Sequence, residues 1–106
     1  MASTYHLRRY FLSSETATTA YLAIWRRHID SLAVLNIATE GFFRIAGKPL
    51  EVVALLRFKD GVDPEQAIAA YMVSPGFMED MAGFDMSQIQ RVDVETLLPG
   101  LGSPLT

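Results

Sequence analysis

The chain has 106 residues, of which half are apolar and a fifth are charged, and its formal net charge is −3 at pH 7. We expect one domain over residues 1–106, built around a single two-layer core. The absence of cysteine excludes disulfides and thiolate sites, and the acidic balance argues against nucleic acid as a partner. No apolar run approaches the roughly 20 residues of a membrane span, so we expect a cytoplasmic protein without a membrane partner.

A strand and a long helix are predicted at the start of the chain. Residues 5–12 alternate in polarity and include Tyr, Phe and Leu, which is typical of a half-buried strand. The segment Ser13-Ser14-Glu15 offers an N-cap hydroxyl and a carboxylate for the first helical turn. Apolar residues then recur at helical spacing, which predicts a helix to about Leu35.

A hairpin is predicted in the middle of the chain. Residues 37–46 and 50–59 are both strand-like, and the breaker cluster Gly47-Lys48-Pro49 separates them. We therefore expect these two strands to pair in an antiparallel manner.

The second half is predicted to contain two helical segments and a last strand. Asp63-Pro64-Glu65-Gln66 combines an N-cap with proline at the first helical position, which predicts a helix from Pro64 to about Val73. A shorter helical segment is expected over 75–81 and a strand over 87–98. The ordered core would then span about 4–98, and residues 99–106, which are rich in Pro and Gly, would form an irregular arm.

This order of elements predicts an α+β, ferredoxin-like βαββαβ domain with an antiparallel sheet and both helices on one face. Alternation then indicates where side chains point. On the first strand we expect His6, Arg8 and Tyr10 to point away from the helices. Leu7 and Phe11 would point towards them. The side chains predicted to face away on the third and last strands are Glu51, Val53, Leu55, Arg57, Arg91, Asp93 and Glu95. Such a mixed, open sheet face suggests that a second copy packs on it and encloses a cavity.

Three segments and the predicted layout carry a resemblance to a known superfamily. The segments are Tyr5-His6-Leu7-Arg8-Arg9-Tyr10, Trp25-Arg26-Arg27-His28 and Gly47-Lys48-Pro49-Leu50-Glu51-Val52-Val53. They resemble the dimeric α/β barrel superfamily, which includes stress-responsive barrels, small polyketide cyclases, cofactor-free monooxygenases and NIPSNAP-type proteins. The resemblance implies a homodimer with one cavity in each subunit.

A second similarity is to the small plant-type polyketide cyclases of this superfamily. His6 matches their histidine on the first strand, and Tyr71 matches their tyrosine on the second helix. His28 falls near a first-helix position that is usually tyrosine. The remaining histidine of the family is replaced by Phe77, which is a departure from the acid–base set of the cyclases.

These observations suggest a mostly apolar pocket bordered by His6, Arg8, His28 and Tyr71. Imidazole, with an ordinary pKa of roughly 6.5, suits proton transfer at neutral pH, so His6, His28 and Tyr71 are the candidate catalytic residues. The candidate substrate-binding residues are Arg8, Tyr10, Trp25, Phe42, Arg57 and Phe77. We expect no cofactor and no metal, because the acidic residues near the histidines lack the spacing of ligands.

The favoured hypothesis is a cofactor-independent cyclase or isomerase acting on a small carbonyl compound of polyketide or terpenoid type. A histidine would remove a proton, and Tyr71 or Arg8 would stabilise the enolate oxygen. Two alternatives stay open: a cofactor-free monooxygenase of the same fold, and a non-enzymatic module that binds a small ligand or another protein. Haem is a weaker possible ligand. The arginines Arg8, Arg57 and Arg91 either hold an anionic ligand oxygen or pair with acidic residues nearby.

Overall fold

The computed structural model describes residues 2–106, which form an antiparallel sheet with helices on one face. The elements are β1 (Thr4–Leu12), α1 (Glu15–Val34), β2 (Ala38–Ile45), β3 (Lys48–Phe58), α2 (Pro64–Met72), α3 (Pro75–Asp80) and β4 (Ile89–Leu97). The strands lie in the order β2-β3-β1-β4. This arrangement confirms the predicted ferredoxin-like α+β fold, with α3 as a short continuation after α2.

The local signals in the sequence explain where α1 begins and ends. The Ser14 hydroxyl accepts a hydrogen bond from the backbone N–H of Ala17 at 3.1 Å, which caps the first turn. After the helix, Asn36 adopts a φ of 62°, a left-handed conformation that asparagine tolerates better than most residues. Within residues 2–106, no helix combines the length and the apolar character needed to cross a membrane.

The hairpin between β2 and β3 is tighter than predicted. Ala46 and Gly47 form the turn, Gly47 has a φ of 79°, and Ile45 lies opposite Lys48. Pro49 therefore belongs to β3 rather than to the turn. It is tolerated there because β3 pairs with β1 only from Glu51 onwards, so the missing N–H of Pro49 lies before that ladder begins.

Side-chain caps also start the two later helices. A carboxylate oxygen of Asp63 accepts from the N–H of Glu65 at 3.3 Å at the start of α2. The Ser74 hydroxyl accepts from the N–H of Phe77 at 3.2 Å and begins α3 directly afterwards. A proline occupies the first helical position in each case, as the sequence predicts.

The predicted orientation of β1 is wrong. His6 lies opposite Leu56, Arg8 opposite Ala54 and Tyr10 opposite Val52 on β3. Directly opposed residues of an antiparallel pair share a face, and these β3 residues are buried in the core beneath the helices. The side chains of His6, Arg8 and Tyr10 therefore point towards the helices. Both faces of β1 carry large apolar or aromatic side chains, so the alternation alone did not show which face packs against the helices.

The third and last strands are oriented as predicted. On β3, Val53 and Leu55 face away from the helices, on the open side of the sheet, whereas their neighbours Val52, Ala54 and Leu56 are buried. On β4, Val92 lies opposite Tyr10 and Val94 lies opposite Arg8, so both face the helix side. They are nevertheless about two-fifths exposed, at 38% and 43%, because the helices leave this edge of the sheet uncovered.

Candidate functional site

A cavity of about 260 Å³ lies between the helices and the sheet. Its wall is mostly apolar and aromatic, and it contains no acidic side chain from residues 2–106. The polar or ionisable side chains that line it are Arg8, Tyr10, Tyr21, Trp25, His28 and Tyr71. A second cavity adjoins the first along Arg8, Ile68 and Met72, and its lining adds His6 and Glu65. Open space on the helix side of the sheet is thus bordered by side chains of β1, α1 and α2.

His28 lines the main cavity and forms a buried pair with Asp80, which is not part of the lining. Nδ1 of His28 lies 2.9 Å from Oδ2 of Asp80, and both residues are buried. A carboxylate only accepts hydrogen bonds when it is ionised, so Nδ1 carries the proton and donates to Asp80. Nε2 of His28 is then the unprotonated nitrogen, and it has no hydrogen-bond partner among residues 2–106. This nitrogen is available to a ligand in the cavity.

Ser31 and Tyr71 complete the network around this pair. The Ser31 hydroxyl donates to Oδ2 of Asp80 at 2.5 Å. Because the single proton of Ser31 is used there, the Tyr71 hydroxyl has two acceptors within the network, the Ser31 oxygen at 2.7 Å and Oδ2 of Asp80 at 3.3 Å. The Tyr71 oxygen also lies 2.6 Å from Nδ1 of His28 and accepts from it. The Tyr71 proton is therefore directed into the network and away from the cavity.

The packing of α3 against α1 brings Asp80 to His28. A Cβ atom built on Gly76 would lie 2.9 Å from the Cβ atom of Ser31, so glycine permits the close approach of the two helices. A guanidinium N–H of Arg27 donates to the backbone carbonyl of Asp80 at 2.9 Å and fixes the end of α3. The His28 side chain is held on both sides by Phe77, which stacks with a centroid distance of 5.7 Å, and by the edge-on ring of Trp25.

The environment sets the protonation states of the pair. Burial lowers the pKa of His28 below its ordinary value, and the hydrogen bond and charge of Asp80 only partly oppose this effect. Burial raises the pKa of Asp80, but the hydrogen bonds from Ser31 and His28 outweigh it, so the pKa lies below the usual value. At neutral pH the pair therefore consists of a neutral imidazole and an ionised carboxylate.

Arg8 is the cation of the site. Its Nε donates to the Tyr10 hydroxyl at 2.7 Å, and its NH1 lies 3.5 Å from Nδ1 of His6. Both partners are neutral acceptors, and within residues 2–106 no carboxylate lies within ion-pair distance of Arg8. The partly buried guanidinium lines both cavities.

His6 is placed differently from His28. Guanidinium groups only donate, so Nδ1 of His6 accepts from Arg8 and Nε2 carries the proton. That Nε2 atom is buried without a hydrogen-bond partner among the described residues, and the ring packs edge-on against Phe58. Burial, followed by the charge of Arg8, lowers the pKa of His6. His6 therefore supports Arg8 and does not present a free nitrogen to the main cavity.

The sequence-predicted site residues are only partly brought together. The cavity wall contains Arg8, Tyr10, Trp25, His28, Tyr71 and Phe77. Phe42 stacks on the far side of Trp25 and lies outside the lining. Arg57 faces the open side of the sheet, where its Nε lies 3.0 Å from Glu40. Arg91 pairs with Asp93 at 2.7 Å on the same side. Of the three arginines considered from the sequence, Arg8 alone borders the cavity.

Sequence reasoning missed Asp80, Ser31 and Tyr21. Ser31 follows His28 by three residues on α1, and this spacing in the sequence indicates that the two side chains share one face of the helix. Asp80 is 52 residues away from His28, and no local pattern marks it. Tyr21 packs edge-on against Tyr10 at a centroid distance of 5.1 Å and belongs to the wall.

Comparison with known proteins supports the fold. No protein-family model and no curated protein matches the chain. Among solved structures, a NIPSNAP-family protein of unknown function from Agrobacterium tumefaciens superposes with a TM-score of 0.78 at 22% identity, covering 99% of this chain and 95% of the other. A NIPSNAP-like domain protein from Burkholderia xenovorans gives 0.75 at 22% identity, with coverages of 96% and 89%.

A third structure extends the comparison. It is a protein from Bacteroides thetaiotaomicron that is provisionally assigned as an antibiotic biosynthesis monooxygenase, with a TM-score of 0.66 at 16% identity and coverages of 99% and 95%. All three likenesses extend over nearly the whole of each chain. The chain therefore shares the fold of these NIPSNAP-type proteins, which confirms the resemblance seen in its sequence at the level of the fold.

Proposed function

We propose that the chain is a cofactor-independent enzyme that removes a proton from a carbonyl compound held in the main cavity. The observation that carries this proposal is the geometry of His28, whose Nδ1 is engaged by Asp80 while Nε2 is left free at the cavity wall. A neutral imidazole that is oriented by a carboxylate is the usual arrangement of a general base. Its low pKa keeps it unprotonated at neutral pH.

In the proposed step, Nε2 of His28 takes a proton from the carbon next to the carbonyl group, and the C–H electron pair moves into an enolate. The resulting imidazolium is stabilised by the ionised Asp80, which stays unprotonated. The proton then returns to another position, which gives isomerisation, or follows closure of a carbon–carbon bond, which gives cyclisation. Proton transfer of this kind contributes about 10² to 10⁴ in rate.

Arg8 is suited to stabilise the enolate oxygen. It is the positively charged group of the cavity wall, and it is held in place by Tyr10 and His6. In an apolar cavity its attraction for a developing negative charge is much stronger than in water. We assign this role to Arg8 rather than to Tyr71, because the Tyr71 proton is directed towards Ser31 and Asp80. Burial also raises the pKa of Tyr71, so its hydroxyl is a weak acid.

A cofactor-free monooxygenase is the second candidate, and the Bacteroides protein favours it. The same base would deprotonate an anthrone-type substrate, and the carbanion would react with dioxygen. One oxygen atom would enter the new carbonyl group and the other would leave as water. Both candidates therefore share the step assigned to His28.

We also propose that the chain forms a homodimer through the open face of the sheet. Most charged groups on that face already pair within the chain: Arg9 with Glu51 at 3.6 Å, and Arg91 with Asp93. The same face also carries the partly exposed apolar side chains of Val53 and Leu55 on β3. A second copy of the same face would cover them with few unpaired charges buried.

The shared step is tested with 2-tetralone, whose size suits the cavity and whose acidic protons exchange in D₂O. Proton NMR would follow this exchange at neutral pH. We expect the wild-type protein to exchange the protons about 10² to 10⁴ times faster than a His28→Gln variant. Equal rates for the two proteins would overturn the proposal.

Arg26→Gln is the matched control for this experiment. Arg26 is exposed on α1 next to the same helix face, and it lines neither of the two cavities. Its variant should retain the wild-type exchange rate. Oxygen uptake with anthrone then separates the candidates: uptake that needs His28 supports the monooxygenase, and exchange without uptake supports the cyclase or isomerase.

A further inference from the structure

We propose that the natural ligand of the main cavity is an apolar carboxylate that Arg8 binds through its carboxyl group. This inference rests on the proposed function, because it names the substrate class of the same site. Its first basis is the state of Arg8, a partly buried cation whose two partners, Tyr10 and His6, are both neutral. A cation removed from water without a counter-charge is unfavourable, and an anionic ligand would remove this cost.

The donors of Arg8 match a carboxylate in number and in kind. A guanidinium carries five N–H groups. One of them donates to Tyr10, and a second is directed to His6. The remaining three are free among residues 2–106. Two of them on one edge suffice for a bidentate contact with two carboxylate oxygens, which is the preferred geometry of an arginine–carboxylate pair.

The charge of the surroundings limits both the size of the ligand charge and its position. One arginine balances one negative charge, so a phosphate dianion would leave a charge unpaired in an apolar space. Glu65 lines the second cavity, and its charge would repel an anion there. Among residues 2–106, no acidic side chain lines the main cavity. The carboxylate would therefore meet Arg8 from the main cavity, with the apolar part of the ligand near Trp25, Phe77 and Met81.

The two roles of Arg8 are compatible within one ligand. If the carboxylate lies one or two carbons from the carbonyl group, the enolate oxygen and a carboxylate oxygen lie side by side and share the guanidinium. The second negative charge forms only as His28 takes up the proton, so the imidazolium balances it. The substrate class is then a 2-oxo or 3-oxo acid with an apolar body. Nε2 of His28, which lines the same cavity, would act on a C–H group of that body.

Titration calorimetry with octanoate and octanamide tests this assignment. The two probes have the same chain, and only octanoate is charged. The wild-type protein should bind octanoate about 10- to 100-fold more tightly, the size expected for a charge-assisted hydrogen-bonded pair. In Arg8→Gln this ratio should fall to about one while octanamide binding is retained. Arg26→Gln, which removes an equal charge elsewhere on the surface, should keep the wild-type ratio.

Three outcomes would overturn the inference: a wild-type ratio near one, a ratio that survives in Arg8→Gln, or binding of neither probe. If Arg8→Gln fails to bind octanamide because it does not fold, the milder Arg8→Lys variant decides. It keeps the charge but removes the planar pair of donors, so the ratio must fall several-fold. His28→Gln should lose the exchange of 2-tetralone and still prefer octanoate, so failure of the ligand class and failure of the proposed base are distinguishable.

Discussion

Nδ1 of His28 has two neighbours, Asp80 at 2.9 Å and the Tyr71 oxygen at 2.6 Å, and both must accept from the same proton. This crowding fixes the tautomer more firmly than one partner would, because any structure with an unprotonated Nδ1 would place a lone pair against the carboxylate. The direction of the ring is thus determined by electrostatics as well as by packing.

Asp80→Asn should shift the pH profile of 2-tetralone exchange in a direction that follows from the pKa of His28. Asp80 raises the pKa of His28, whereas burial and Arg27 lower it. Removing the charge should therefore move the acidic limb of the profile to lower pH. The plateau rate should fall about 10- to 100-fold, comparable to the loss of a partner that orients a metal-bound histidine. A limb that moves to higher pH, or does not move, would contradict the assigned role.

The buried histidines also predict how stability depends on pH. Burial lowers the pKa of both His6 and His28 in the folded protein, so near pH 6.5 and below the unfolded chain binds more protons. Their stabilising effect is present above the unfolded pKa of roughly 6.5 and is lost as pH falls through that value. Urea unfolding should show a midpoint that falls on acidification from about pH 7.5 to 5.5.

A His6→Gln/His28→Gln double variant checks the source of this dependence. The glutamine amide does not titrate, so the unfolding midpoint of this variant should be nearly flat over the same range. The depressed pKa of Asp80 acts only below the ordinary carboxylate range and leaves this window unaffected. A wild-type slope that persists in the double variant would show that other groups control it.

At the scale of single residues, the types of side chain that form the site could be predicted better than their positions in the fold. His28 was a candidate because the chain has only two histidines, and Tyr71 because it matches a tyrosine of the small polyketide cyclases. Both line the cavity. Asp80 could not be found, since its contact with His28 depends on the docking of two helices far apart in sequence. Arg57 was a candidate by type, but the strand places it on the opposite face from the ligand space.

Among the elements, the close contact of α3 with α1 is the most sensitive. The missing side chain of Gly76 leaves room for Ser31, which in turn holds Asp80. Gly76→Ala would place a Cβ atom 2.9 Å from the Cβ atom of Ser31. We expect it to lower the free energy of unfolding by about 1–3 kcal/mol, as overpacking does. It should also reduce 2-tetralone exchange, because α3 must move away from His28.

Gly100→Ala provides the matched control for this change. A Cβ atom at Gly100 meets nothing within 4 Å, and the residue does not have a positive φ. Urea unfolding and exchange rates should therefore be close to wild type. Equal stability of Gly76→Ala and Gly100→Ala would contradict the packing argument.

The elements themselves were predictable to within two residues at most ends, because caps and breakers mark them. Ser14, Asp63 and Ser74 each cap a helix, and the hairpin glycine has the positive φ of a tight turn. Which face of β1 points towards the helices was not predictable in this way. Polar groups lie on its inner side because they border a cavity, and this reverses the usual rule that the polar side of a strand faces water.

At the scale of the whole molecule, the proposed dimer makes the open sheet face an internal surface. Leu55→Arg would place a charge in its centre, and we expect this variant to sediment as a monomer of 11.8 kDa. The wild-type protein should sediment at twice that mass. The control is Val34→Arg on α1, where the side chain is 79% exposed, and it should remain dimeric. A monomeric wild type, or a dimeric Leu55→Arg variant, would overturn the proposal.

Trp25 is the one tryptophan of the chain, and it lies buried in the wall of the cavity with only 2% of its surface exposed. All tryptophan fluorescence of the protein therefore originates in the wall of the cavity, next to His28 and Tyr10. The molecule carries its own optical reporter of occupancy. Mixtures of metabolites can be screened for a ligand by the emission of the native protein, without a label and before any reaction has been identified.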